Sequence, residues 1–225
     1  MILLAALLSL QAAEEPFVIK VVDEATGRGV PMVELRTTSH ILLITDNAGI
    51  VAFDEPGLLG THVWFNVQSH GYEKPADGFG LRGAGFDTVP GGEGLIKVRR
   101  THIAERLYRI TGQGLYHHAV RAGLPVPIKN PVLNAGVTGQ DTAVAVVHDG
   151  KLRWFWGDTS LWQQPLGHFG TSTATAPLDT DPAVGIDLTY AVGPNGRCRG
   201  TFDLGRPGPV WVHGGFVLDG RILTQ

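Results

Sequence analysis

Between residues 17 and 100, apolar positions recur in short runs divided by polar, glycine-containing turns. Residues 17–22 (FVIKVV) lead into Asp23-Glu24-Ala25-Thr26-Gly27. In residues 32–37 (MVELRT), Val33 and Leu35 alternate with Glu34 and Arg36, the period of two that sends successive side chains to opposite faces of a strand. Residues 41–45 and 50–53 flank Asp46-Asn47-Ala48-Gly49, a stretch that predicts a hairpin-type connection. Residues 61–69 place Val63, Phe65 and Val67 on one face. Strands this short, parted by turn signals, predict a small antiparallel sandwich. Residues 74–94 hold seven glycines and two prolines and read as a long irregular connection.

Beyond residue 100 the pattern changes. Ile103, Leu107 and Ile110 have helical spacing, but Thr111-Gly112-Gln113-Gly114 would stop a helix, and residues 106–110 also alternate. The segment reads as extended. Pro125, Pro127 and Pro131 mark a linker, since each removes a backbone donor and pushes its predecessor out of the α region. From Val132 on, strands return. Residues 142–148 (TAVAVVH) and 151–157 (KLRWFWG) flank Asp149-Gly150, a favoured two-residue hairpin turn. Residues 187–192, 210–213, 216–218 and 221–224 continue the theme, with a turn at Pro194-Asn195-Gly196. The expected organisation is all-β: a sandwich over 17–100, a connecting segment over 101–131, and a second β unit over 132–225.

Composition supports this reading. The chain has 225 residues, of which 31 are Gly and 14 Pro, so long helices are disfavoured. A net charge of −3 without Lys/Arg runs argues against nucleic acid as a partner. With Cys198 alone, neither an intramolecular disulfide nor a cysteine-based zinc site can form. Residues 2–10 (ILLAALLSL) are too few to cross a bilayer but suit the apolar region of a signal peptide ending near residue 13, which predicts export. The alternative is a buried first strand or helix. No later apolar run is long enough for a membrane span.

Two resemblances follow from particular residues. A strand, then Asp23, Thr26-Gly27, Val30-Pro31, Val33, Thr45-Asp46, Gly49 and His70-Gly71-Tyr72 resembles a carboxypeptidase regulatory-like module, which implies a transthyretin-like β-sandwich without catalysis of its own. The run Gly139-Gln140-Asp141, strand, Asp149-Gly150, strand, Trp156-Gly157-Asp158-Thr159 is similar to the first blade of five-bladed β-propeller glycosidases. That resemblance implies a polysaccharide or oligosaccharide partner, with Asp141 at the position of the catalytic base and Asp158 supporting it. Thr142 stands where the family usually has proline. An inverting glycosidase also needs a carboxylic acid opposite the base, yet the last glutamate is Glu105. Residues 132–225 suffice for about two blades of ~40–50 residues. The expectation is an incomplete propeller in a fragment of a longer polysaccharide-processing protein, inactive by itself. The alternative is a non-catalytic cell-envelope carbohydrate-binding or interaction module.

Exposed aromatic faces suit sugar rings. Trp162, beside Gln163-Gln164 in a loop, is the best such candidate, followed by Trp156 and a channel-facing His213. Trp154 and Trp156 share one strand face and Phe155 takes the other, and core packing is the commoner fate of such residues. Gly78-Phe79-Gly80-Leu81-Arg82-Gly83 fits a dinucleotide-binding pattern literally but lacks the strand–helix context. His117-His118 points to opposite faces if extended, so neither a metal nor another cofactor is expected there. Asp179-Thr180-Asp181 reads as a solvated turn before Pro182 rather than a calcium site. Cys198, between Arg197 and Arg199, has the setting for a lowered thiol pKa.

Overall fold

A computed structural model describes residues 15–168, 170–202, 204–205 and 207–225. The expected signal peptide lies outside them. The fold is all-β, and the first eight strands make two four-stranded sheets. One has the order β4-β1-β8-β6, from β1 (Phe17–Asp23), β4 (Ile50–Phe53), β6 (Tyr72–Glu73) and β8 (Glu93–Arg100). The other has the order β3-β2-β5-β7, from β2 (Glu34–Thr37), β3 (Leu42–Ile44), β5 (His62–Gln68) and β7 (Gly83–Asp87). Their inner faces supply one core: Phe17, Ile19, Val21, Phe53 and Val98 from the first sheet meet Leu35, Val63, Phe65 and Val67 from the second. Pairing is antiparallel except between β1 and β8, which run parallel.

Three expectations for this half need correction. The Asp46–Gly49 turn is not a hairpin: β3 pairs with β2 while β4 pairs with β1, so the turn carries the chain from one layer to the other. All four β4 residues are buried although β4 is an edge strand, because β1 pairs with it on one side and the short helix that follows packs against it, His118 Nδ1 lying 3.1 Å from the Ala52 carbonyl. The glycine-rich stretch is not wholly irregular, because β7 and the start of β8 lie within it. Residues 101–131 are not extended either. They run irregularly into the short helix α1 (His117–Arg121), which seats on that same turn. Tyr116 at the helix N-cap provides no capping side chain. Asp46 substitutes for it across the fold, its Oδ2 accepting the Ala119 N–H at 2.8 Å. Asn47 holds the preceding chain, pairing through its amide with both the N–H and the C=O of Arg109. His117 and His118 therefore share one helical turn, their ring centroids 3.8 Å apart. Such local capture by side chains of a distant turn leaves no periodic signature.

The second half is built on three long strands, each broken near its middle. Residues 137–148 run as β9 (Val137–Gln140) and β10 (Val144–His148), and residues 151–161 as β11 (Lys151–Trp156) and β12 (Thr159–Leu161). β13 (Gln164–His168) and β14 (Ser172–Pro177) make the third. On one side of the break the sheet order is β10-β11-β14-β15, completed by β15 (Thr189–Tyr190); on the other it is β13-β12-β9. The Asp149-Gly150 turn joins β10 and β11 with both residues at positive φ (50° and 66°), as a type I′ hairpin requires. A final hairpin of β16 (Gly215–Leu218) and β17 (Arg221–Thr224) packs on β10, with Ile222 against a small buried cluster of Val146, Phe155 and Val212. Residues 210–213, expected as a strand, instead run alongside Thr171: its N–H donates to the Val210 carbonyl at 2.7 Å and its hydroxyl accepts from Val212 N–H at 3.0 Å. No helix among the described residues is long and apolar enough to cross a membrane.

Candidate functional site

The breaks in the three long strands line up, and Asp141 and Asp158 stand in them. Backbone pairing across the first break survives in distorted form. Gly157 N–H donates to the Asp141 carbonyl at 3.0 Å, and Asp141 N–H donates to the Asp158 carbonyl at 3.3 Å. The side chains bridge what the ladder leaves open. Asp141 Oδ1 accepts the Asp158 N–H at 2.9 Å, linking the first strand to the second. Asp158 Oδ1 accepts the Gly170 N–H at 3.1 Å, linking the second to the third. The same oxygen accepts the indole N–H of Trp211 at 2.8 Å. Thr142 lies at φ +48°, the left-handed region a non-glycine residue enters only when its surroundings demand it. Gly157 is dictated by proximity: a Cβ there would come within 2.3 Å of Asp141 Oδ1.

Behind the bend lies a buried polar network. Tyr190 OH donates to Gln140 Oε1 at 2.7 Å, and Gln140 Nε2 donates to Ser172 Oγ at 2.6 Å. The Thr159 and Ser172 hydroxyls, both inaccessible to solvent, are 2.8 Å apart. Burial pushes the Tyr190 hydroxyl pKa well above its ordinary value. Cys198 closes the cluster. Burial raises its thiol to about 11, outweighing the hydrogen bond with Ser172, so the lowered thiol pKa expected from the flanking arginines does not arise. Each polar group here pins a strand to its neighbour, and a satisfied network of this kind rigidifies the sheet.

The structure sorts the sequence candidates. Asp141 and Asp158 are brought together by the bend. Trp156 is 2% exposed and stacks on Trp154 (centroids 5.7 Å apart, planes 11° apart), with Tyr190 on a further side. It belongs to the core and offers no ring to a ligand. Trp162 is exposed in the turn between β12 and β13, packed near Gly136 and Arg197, one strand length from the bend. His213 is exposed and donates its N–H to the Gln225 carbonyl at 2.9 Å. The residue that joins the aspartates is Trp211, 44% exposed and anchored through its ring nitrogen. Its sequence surroundings (Pro209-Val210-Trp211) do not single it out; only the contact across 53 residues does.

Elsewhere, Asp181 Oδ1 accepts the Ala183 N–H at 2.8 Å in a local turn. The described residues contain no group of three or more His, Cys, Asp or Glu placed to hold a metal ion. A groove of about 250 Å³ lies on the other face of the β11–β14 pair, between Arg153, Phe155, Thr173, Phe202 and Ile222. Comparison with protein-family models, with curated proteins and with solved structures returns no match to this chain.

Proposed function

We propose that this protein binds carbohydrate, without hydrolysing it, at the bend marked by Asp141, Asp158 and Trp211. The carrying observation is the Asp158–Trp211 hydrogen bond. It fixes an exposed indole ring beside two carboxylates, which pairs an apolar face for the C–H side of a pyranose with acceptors for its hydroxyls. Fixing the ring before the ligand arrives reduces the ordering cost of binding. Trp162 is a separate, outlying aromatic contact. The non-catalytic reading is preferred because each aspartate spends Oδ1 on backbone N–H groups.

A second reading has its own support. The strands β10-β11-β14-β15 follow one another in sequence order, as the strands of a propeller blade do, and Asp141 precedes the first of them. Within a longer glycosidase-like protein, the same bend would stand where the resemblance places the base, with the sandwich as a spacer. Titration of the full chain with arabino- and xylo-oligosaccharides, followed by tryptophan fluorescence, tests the binding reading. Saturable quenching that loses a component in Trp211→Ala supports it. Quenching unchanged in Trp211→Ala, or absent in the parent chain, overturns it.

A further inference from the structure

We infer that the outer face of the sandwich, centred on Trp64, is a second sugar-binding surface. It would take linear, neutral oligosaccharides lying along the sheet. The inference deepens the carbohydrate-binding reading and shares only its ligand class.

The argument starts from alternation along β5. Val63, Phe65 and Val67 enter the core, so His62, Trp64 and Asn66 point outward. Opposite them on β7, the register pairs His62 with Asp87, Trp64 with Gly85 and Asn66 with Gly83. The two glycines make a shelf. A Cβ on Gly83 would come within 2.5 Å of Trp64 Cζ2, and one on Gly85 within 2.5 Å of His62 Nε2. Both rings therefore lie over glycine backbone instead of standing off the sheet. This explains why a glycine-rich stretch forms a strand at all, since the aromatic rings cover what the glycines leave bare.

The flat rings are also held in place. Trp64 Nε1 donates to Asn66 Oδ1 at 3.1 Å, and Asn66 Nδ2 donates to the Arg36 carbonyl at 3.3 Å. His62 Nδ1 lies 2.7 Å from Asp87 Oδ1. Within its sheet β5 is flanked by β2 and β7, and Trp64 is half-buried on the face away from the core. A single prearranged indole, bordered by an amide, an imidazole, a carboxylate and the Arg36–Glu34 pair, suits a ligand with an apolar ring face and a rim of hydroxyls. A protein partner would want contiguous apolar area. The exposed Leu42 and Ile44 lie on β3, beyond Arg36 and Asn66, and do not join Trp64 in one patch.

The experiment titrates the full chain with xylohexaose and cellohexaose by calorimetry, alongside Trp64→Ala, Trp64→Tyr, Asn66→Ala and Trp211→Ala, with the melting temperature of each variant recorded. The expected result is two ligands per chain. Trp64→Ala removes one of them or weakens it at least about tenfold, and Trp64→Tyr restores it. Asn66→Ala, which frees the indole without deleting it, weakens the same site, so a folding defect in Trp64→Ala does not decide the matter. Binding through the Trp211 site alone, indifferent to Trp64 and Asn66, overturns this inference and leaves the proposed function standing. Binding that needs Trp64 but not Trp211 overturns the proposed site and keeps this one. No binding by the parent chain overturns both.

Discussion

If Asp158 splices the second strand to the third, truncating it should destabilise the sheet before it affects anything else. In Asp158→Ala the Gly170 N–H, on a buried residue, loses its acceptor at 3.1 Å. A hydrogen bond to a charged acceptor contributes about 1.5–3 kcal/mol, and a buried donor left unpaired costs about as much. The Trp211 indole also loses its partner, but it is 44% exposed and finds water instead, adding little. Together these give a loss of about 2–3 kcal/mol. Asp158→Asn keeps an oxygen at the same place, and since neutral hydrogen bonds are about half as strong, it should cost roughly 1 kcal/mol. Urea denaturation measures both, and amide hydrogen exchange at Gly170 reports the particular bond, which should open faster in the alanine variant. A cost below about 0.5 kcal/mol for Asp158→Ala, with Gly170 exchange unchanged, would refute the splice.

Three further outcomes follow from the geometry. Gly157→Ala drives a methyl group to within 2.3 Å of Asp141 Oδ1 and should cost about 1–3 kcal/mol; in an Asp141→Ala background the same change should cost measurably less, which a double-mutant cycle on urea midpoints detects. His118 is held down to about 4, chiefly by burial, so its contribution is complete above pH 6.5 and is lost as pH falls toward 4; the loss is roughly 3 kcal/mol, seen as a falling denaturation midpoint that His118→Gln flattens. Asp46, raised by burial, adds the opposite slope at the acid end in both proteins, so their difference isolates the histidine. Cys198, 4% exposed with its thiol raised to about 11, should resist a thiol reagent at pH 8 in the native protein and react at once in denaturant.

Much of the framework was legible because it rests on local rules. The alternation of Val63, Phe65 and Val67 predicts a core face, and all three are buried. Asp149-Gly150 predicts a primed hairpin turn, and its dihedrals are of that kind. Where the reading failed, the deciding contact is remote in sequence. Nothing between residues 101 and 131 announces that Asp46 will cap α1 from 73 residues away. Gly83 and Gly85 look like loop residues until Trp64 and His62 are laid over them. The site divides in the same way. Asp141 and Asp158 stand out as carboxylates at strand ends, whereas their use as strand splices, and the recruitment of Trp211, depend on three breaks coinciding in space. Trp156 carries the same aromatic signal as Trp211, and only its 2% exposure tells a core ring from a ligand platform.

The most direct test of carbohydrate binding at the bend is a single titration of the intact chain and of Trp211→Ala with xylohexaose, by calorimetry on matched, folded samples. The account predicts saturable heat in the parent chain and the loss of one binding event in the variant. Identical isotherms for the two proteins would contradict it.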